Sequence, residues 1–277
     1  MADLVAIQMT SSPSPEENLA FIEQQLKALP EKQQLLVLPE CFACFGGTEK
    51  AQYSLAETLD DGPIQTKLSV LAKTYNKWIV AGSLPIKPKN LDEQDSANTK
   101  FYAASLVFNS QGERVSRYDK IHLFDVTLDD NTGSYRESDS TLYGQKVSVF
   151  DSPWGRVGQL ICYDLRFPEL VQKMSQIDVL VVPSAFTQRT GKAHWYPLLQ
   201  SRSIENQCYV VASNQTGVHN NGRQTFGHTC IFSPWGDLLA NLSKEQGWVA
   251  ARYDSTLLTT LRQEMPIQQH KTNRNAF

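Results

Sequence analysis

From residue 3 to residue 81, three short apolar runs alternate with two stretches of helical spacing, and this alternation narrows the fold more than any other feature of the chain. Residues 3–9 read as a buried strand, 35–38 as a second and 78–81 as a third. Between the first two, Ser14 stands as an N-cap ahead of Pro15 in the first helical turn. Leu19, Ile22, Leu26 and Leu29 then repeat at the interval that lines one face of a helix. Between the second and third, Ile64, Leu68, Leu71, Ala72 and Tyr75 do the same. Strand, helix, strand, helix, strand is the order of an α/β layered fold.

Residues 87–99 (KPKNLDEQDSANT) are polar and read as an exposed loop. Past them the pattern changes to hairpins. Residues 101–108 and 114–118 flank NSQG, 147–150 and 156–161 flank DSPWG, and 229–232 and 238–242 flank SPWG. Each turn ends in a glycine, which supplies the positive φ that such turns need. Residues 179–182 read as a buried strand ended by Pro183, 193–206 as a helix, 209–212 and 248–253 as strands, and 255–263 as a last helix. The polar stretch 265–277 has no core pattern. The hairpins are unevenly spaced, which excludes a solenoid repeat, and no linker divides the chain. A single domain over 1–277 is expected, with a mixed sheet and helices outside it.

At 277 residues, 41% hydrophobic and 20% charged, the chain can bury an ample core. Lys and Arg number 26 against 29 Asp and Glu, a net charge of -3, with no basic stripe for nucleic acid and no polybasic tract for an anionic membrane. No apolar run reaches the ~18 residues of a membrane span. The opening MADLVAIQMT lacks a basic segment before its apolar stretch and reads as a first strand rather than a signal peptide. Five scattered cysteines, an odd number, do not form a disulfide framework, so the cytoplasm is the expected compartment. Cys208 and Cys230 read as core. Cys41 and Cys44 supply only two ligands, and His122, His194, His219, His228 and His270 show no matching zinc spacing. Without a glycine-rich phosphate loop either, no metal or cofactor is expected.

Three strand ends carry a reactive residue type. Glu40 follows the strand closed by Pro39, and Lys120 follows the hairpin strand ending at Tyr118. Cys162 ends the apolar run 157–161. A sharp turn through Tyr163, Asp164 and Arg166 follows, then Pro168 and a helical run. A turn into a helix leaves backbone N–H groups free to receive negative charge, which favours a thiolate at Cys162. A carboxylate beside the thiol can act as general base, worth roughly 10²–10⁴ in rate. A lysine and the Tyr163 N–H can stabilise an oxyanion. These types suffice to open an amide or a nitrile through an acyl-enzyme. Spacing alone does not show that they converge; taken singly, Glu40 and Lys120 read first as ordinary surface charges, and Cys162 reads equally as a buried structural cysteine.

The segments around them resemble the motifs of the nitrilase superfamily of carbon–nitrogen hydrolases: LVLPECF (36–42), RYDKIHLFD (117–125) and GQLICYDLRFPEL (158–170), in that order, with similarity over essentially the whole chain. The resemblance implies a four-layer αββα sandwich, with Glu40 as base, Lys120 as oxyanion stabiliser and Cys162 as nucleophile. It also implies a second glutamate, matched by Glu137 in YRES (135–138), that holds Lys120. RFPEL (166–170), PSAF (183–186), GKAHW (191–195), SRSIENQCYVV (201–211), FGHT (226–229) and SPWG (233–236) are similar to the Nit branch. That branch implies hydrolysis of the amide bond of deaminated glutathione, giving 2-oxoglutarate and cysteinylglycine. PECF (39–42) leans toward omega-amidases acting on 2-oxoglutaramate or 2-oxosuccinamate. A nitrilase and a non-catalytic binding protein of the same fold are the remaining alternatives. A homodimer or larger homo-oligomer is implied too, with 163–175 and the tail near the interface. Arg166 is a candidate for binding a substrate carboxylate bidentately, or else it pairs with Asp164 or Glu169 and shapes the turn. Phe186, Thr187 and His194 are candidate pocket residues, His194 reading as a structural hydrogen-bonding histidine before a proton carrier.

Overall fold

The computed structural model describes residues 4–47, 49–89, 100–127 and 134–270. The first part of the chain supplies Leu4–Gln8 (β1), Gln34–Val37 (β2), Lys77–Ile86 (β3), Phe101–Phe108 (β4) and Arg114–Asp119 (β5). The second supplies Ser148–Ser152 (β6), Gly155–Gln159 (β7), Val179–Ser184 (β8), Tyr209–Asn214 (β9), Cys230–Phe232 (β10), Leu238–Asn241 (β11) and Gly247–Ala251 (β12). They form two mixed sheets, ordered β12-β1-β2-β3-β4-β5 and β11-β10-β9-β8-β7-β6, with Thr141–Leu142 pairing beside β4. In the first, β1, β2 and β3 are parallel, and β4, β5 and β12 are antiparallel to their neighbours. In the second, β7, β8 and β9 are parallel, and β6, β10 and β11 antiparallel. The two halves repeat one topology.

The apolar runs are continuous because both faces of each strand are covered. Successive side chains point to opposite faces. Leu4, Ala6, Leu35, Val37 and Val80 therefore meet Val157, Val179, Val181, Val211 and Ile231 between the sheets. Val5, Ile7, Leu36 and Ile79 point the other way, to Ile22 and Leu26 of helix Pro15–Ala28 and Leu68 and Leu71 of helix Pro63–Thr74. Leu180, Val182, Val210 and Ala212 do likewise against helices Pro168–Lys173 and Gln188–Asn206. Each such side chain, fully buried, contributes about 1.5–3 kcal/mol. Two mixed sheets flanked by helices are the expected αββα arrangement. The expected hairpins form, and Ser14 caps its helix by accepting from Glu17 N at 3.3 Å.

Three boundaries differ clearly from expectation, and a helix is added. Strand β8 runs through Pro183 to Ser184. Its partner β7 stops opposite Val181, so the missing Pro183 N–H lies where no ladder bond is needed. Helix Gln188–Asn206 begins before residue 193 because Thr187 caps it, accepting from Thr190 N at 3.3 Å. Strand β3 extends to Ile86 through an irregularity between Ala81 and Leu84. Helix Glu49–Ser54 was not foreseen. Residues 90–99 of the expected loop and 271–277 of the tail lie outside the described residues. Among the described residues, no helix is long and apolar enough to cross a membrane.

Candidate active site

The strand ends that carry Glu40, Lys120 and Cys162 meet at one end of the sandwich. Beyond β2 the chain passes so close to β3 that a Cβ at Gly82 would stand 1.8 Å from the Pro39 carbonyl oxygen. Only glycine fits there, and the approach lets Ser83 Oγ accept from Cys41 N at 2.8 Å. Gln215 Nε2, just past β9, donates to the Glu40 carbonyl at 2.9 Å. The Glu40 loop is thus held by both sheets. Lys120 follows β5; its amide donates to Ala103 O at 3.0 Å, and its carbonyl accepts from Gly144 N at 2.8 Å. Glu137 opens a one-turn helix, Glu137–Asp139, where Ser138 N donates to Asp125 Oδ1 at 3.0 Å.

Lys120 Nζ donates to Glu40 Oε1 at 2.7 Å and to both Glu137 oxygens, at 2.9 and 2.8 Å. Glu137 Oε2 also accepts from Phe124 N at 2.7 Å. Lys120 is 1% exposed. Burial opposes its charge, but the carboxylates of Glu137 and Glu40 outweigh burial and hold its pKa well above the usual lysine range. Burial raises the pKa of Glu137, Lys120 works against that, and Glu40 adds to it.

Cys162 stands at φ 48°, a left-handed conformation that costs a non-glycine residue free energy and turns its thiol into the cavity. The thiol shares that cavity with the Glu40 carboxylate, whose charge acts on it. Burial pushes it well above the ordinary thiol range, the Glu40 charge pushes further, and Lys120 with the Ala185 amide recovers only part. The expectation of a thiolate favoured by a helix start is corrected. Residues Cys162–Arg166 form a 3-10 turn, the α-helix begins only at Pro168, and the nearest carboxylate holds the proton on sulfur.

The turn is braced by Asp164, which is wholly buried. Its Oδ1 accepts from His122 N at 2.8 Å and faces His122 Nδ1 at 2.9 Å. Its Oδ2 accepts from the Tyr118 hydroxyl at 2.8 Å and from Ile161 N at 3.2 Å. One carboxylate therefore ties the Cys162 turn to the strand and loop that carry Lys120. Burial and the Asp164 charge raise the Tyr118 pKa, so its hydroxyl stays a donor. The sequence reading considered Asp164 only as a partner for Arg166; its signal was an acidic residue between apolar neighbours.

Glu40, Lys120, Glu137 and Cys162 line a cavity of about 430 Å³, with Tyr163, Arg166, Phe186 and Thr187 on its walls. Arg166 pairs with neither Asp164 nor Glu169 among the described residues. It lies over the rings of Tyr163 and Phe186, 5.6 and 5.3 Å from their centroids, and its Nη1 is 3.1 Å from His194 Nδ1. His194 does not line the cavity. It is exposed on the solvent side of its helix, where Trp195 takes the buried phase, and burial and the Arg166 charge lower its pKa. Cys41 faces the cavity with its pKa pushed up to about 12 by burial. Among the described residues no group of three His, Cys, Asp or Glu is placed to hold a metal ion. Cys208 and Cys230 are wholly buried, as expected. Arg223 also lines the cavity and was missed, since HNNGRQ reads as an exposed turn.

A family model described as carbon–nitrogen hydrolase matches residues 4–263. A deaminated glutathione amidase of Yersinia enterocolitica is 40% identical over 97% of this chain and 92% of its own length. One of Dictyostelium discoideum is 39% identical over 97% and 93%. The crystal structure of the Caenorhabditis elegans NitFhit protein superposes with TM-score 0.84 at 35% identity, over 99% of this chain and 66% of that one. Saccharomyces cerevisiae Nit3, of the nitrilase superfamily, gives 0.81 at 28% identity over 99% and 96%.

Proposed function

Because this chain belongs to the carbon–nitrogen hydrolase family, we propose that it is an amidase that opens a small-molecule amide through a thioester on Cys162. The observation that carries the reading is a buried ammonium gripped by two carboxylates, one of which shares a cavity with the cysteine thiol. Glu40 takes the thiol proton as sulfur attacks the carbonyl carbon. The proton moves within the site, so no net charge is buried or removed, which suits a thiol too basic to ionise beforehand. The carbonyl electron pair moves to oxygen, where the Lys120 ammonium and the Tyr163 N–H stabilise it. The C–N bond then breaks, and Glu40 returns the proton to the leaving amine. Water attacks the thioester with Glu40 again as base, the C–S bond breaks, and the thiol is reformed. Glu137 keeps Lys120 charged and aimed.

The substrate that fits the relatives' names is deaminated glutathione, cleaved to 2-oxoglutarate and cysteinylglycine, with Arg166 receiving a carboxylate. A homodimer or larger homo-oligomer belongs to the same proposal; sedimentation of a monomer alone at micromolar concentration would refute that part. Unpaired cysteines and thiol chemistry suit a reducing compartment, and we propose the cytoplasm. The test is release of 2-oxoglutarate and of ammonia from deaminated glutathione and from 2-oxoglutaramate. Fast 2-oxoglutarate release from the first, without ammonia, is expected. Ammonia and 2-oxoglutarate mainly from the second would make the protein an omega-amidase. Neither, with Cys162 still open to alkylation, would show that the acyl group is another.

A further inference from the structure

Besides Lys120 and Arg166, two cations line the cavity without a part in this chemistry: Arg136, which is exposed, and the half-buried Arg223. Arg223 sits in the turn between strands Thr216–Val218 and Gln224–Phe226. Its guanidinium carbon lies 4.9 Å from the ring centroid of Phe45 and 4.8 Å from that of Tyr135. Its Nε is buried and has no hydrogen-bond partner among the described residues. Arg114, Arg117, Arg202 and Arg262 each hold a carboxylate, whereas among the described residues Arg166 and Arg223 hold none. The turn itself is anchored. His219 N donates to Arg223 O at 2.9 Å, and the buried His219 ring lies 3.1 Å from Ser11 O and 2.8 Å from Thr225 Oγ1. A guanidinium desolvated against two rings with an unused N–H is held ready for an anion.

Its position relative to Arg166 follows from the rings. Arg223 lies over Tyr135, Tyr135 contacts Phe124 at 5.1 Å, Phe124 contacts Tyr163 at 5.2 Å, and Arg166 lies over Tyr163. The two cations thus end a row of three rings bordering the cavity that holds Cys162. Arg166 is on the nucleophile's own turn. A leaving dipeptide spans about 7 Å at ~3.5 Å per residue, so its carboxylate must end away from that turn.

We propose that Arg223 binds the carboxylate of the leaving amine while Arg166 takes the one on the acyl half, so that the site selects amides with a carboxylate at both ends. The proposal rests on the amidase reading and narrows its substrate. The test uses two substrates, the 2-oxoglutaryl amide of cysteinylglycine and the same compound with its glycine carboxylate converted to a carboxamide. The wild type is expected to prefer the carboxylate by about 10–100-fold in kcat/KM, chiefly through KM, as for a charge-assisted pair. Arg223→Gln is expected to bring the ratio near one, and Arg223→Lys to restore part of it. A merely structural role would lower both activities and leave the ratio unchanged, which overturns the proposal; so does a wild-type ratio near one, whether or not the Gln variant folds. Turnover of neither compound by the wild type would instead overturn the substrate reading beneath it.

Discussion

Replacing Asp164 with Asn would test whether one buried carboxylate holds the Cys162 turn against the lysine loop. Two donors converge on each oxygen: His122 N and the His122 ring on Oδ1, the Tyr118 hydroxyl and Ile161 N on Oδ2. An amide offers an acceptor on one side only. If its NH₂ faces the Tyr118 side, the hydroxyl can rotate to accept, but Ile161 N is stranded. If it faces the other side, the imidazole can change tautomer, but His122 N is stranded. Either way a backbone donor in a wholly buried site loses a charge-assisted bond, which costs about 2–4 kcal/mol. For a chain of this size that lowers Tm by about 3–7 °C. The left-handed Cys162 persists only while its surroundings fix it. A displacement of about 1 Å at the reacting atom lowers kcat by about 10²-fold. Calorimetry and steady-state kinetics on the same preparation read both effects. Tyr118→Phe, which leaves the carboxylate its other donors, is expected to cost only about 1 kcal/mol. An Asn variant with wild-type Tm and kcat would refute the brace.

Other perturbations separate the remaining roles. Cys162→Ala is expected to abolish turnover while unfolding stays cooperative; residual activity near wild type would reject the nucleophile. Glu137→Gln makes Lys120 and Phe124 N compete for a single acceptor oxygen, and kcat is expected to fall about 10²-fold; a variant with unchanged kcat would remove Glu137 from the machinery. His219 is held neutral, its pKa lowered to about 4 by burial, with the Arg223 charge acting in the same direction. Its folded pKa lies below its unfolded one, so its contribution is complete above pH ~6.5 and is lost as pH falls through about 4, up to about 3 kcal/mol in all. Urea midpoints of the wild type and His219→Gln at pH 7 and 4.5 check this, and equal pH dependence in the two would contradict it.

The layered fold was legible because buried strands and amphipathic helices write their period into the chain. Pro183 misled because a proline closes a strand only where a neighbour needs its N–H, and β7 had already turned away. The start of helix Gln188–Asn206 was hidden in QRTGKA, which has no apolar stripe and relies on the Thr187 cap. Glu40, Lys120, Cys162 and Glu137 could be named from their motifs, but their meeting is a tertiary fact. The protonation of Cys162 was misjudged for the same reason: the local turn argues for a thiolate, and the opposing Glu40 comes from the other sheet. His194 was misplaced by one step of helical phase, which sends Trp195 inward instead. Arg223 could not be recognised at all, because its aromatic clamp is assembled from Phe45 and Tyr135, distant in the chain.

The most direct measurement is the mass of the protein quenched in acid during turnover of deaminated glutathione, followed by mapping of the modified peptide. A 2-oxoglutaryl thioester on Cys162, absent from Cys162→Ala, is expected. Turnover with no acyl mass, or with the acyl group on Cys41 or Cys44, which also line the cavity, would contradict the assignment of Cys162 as the nucleophile.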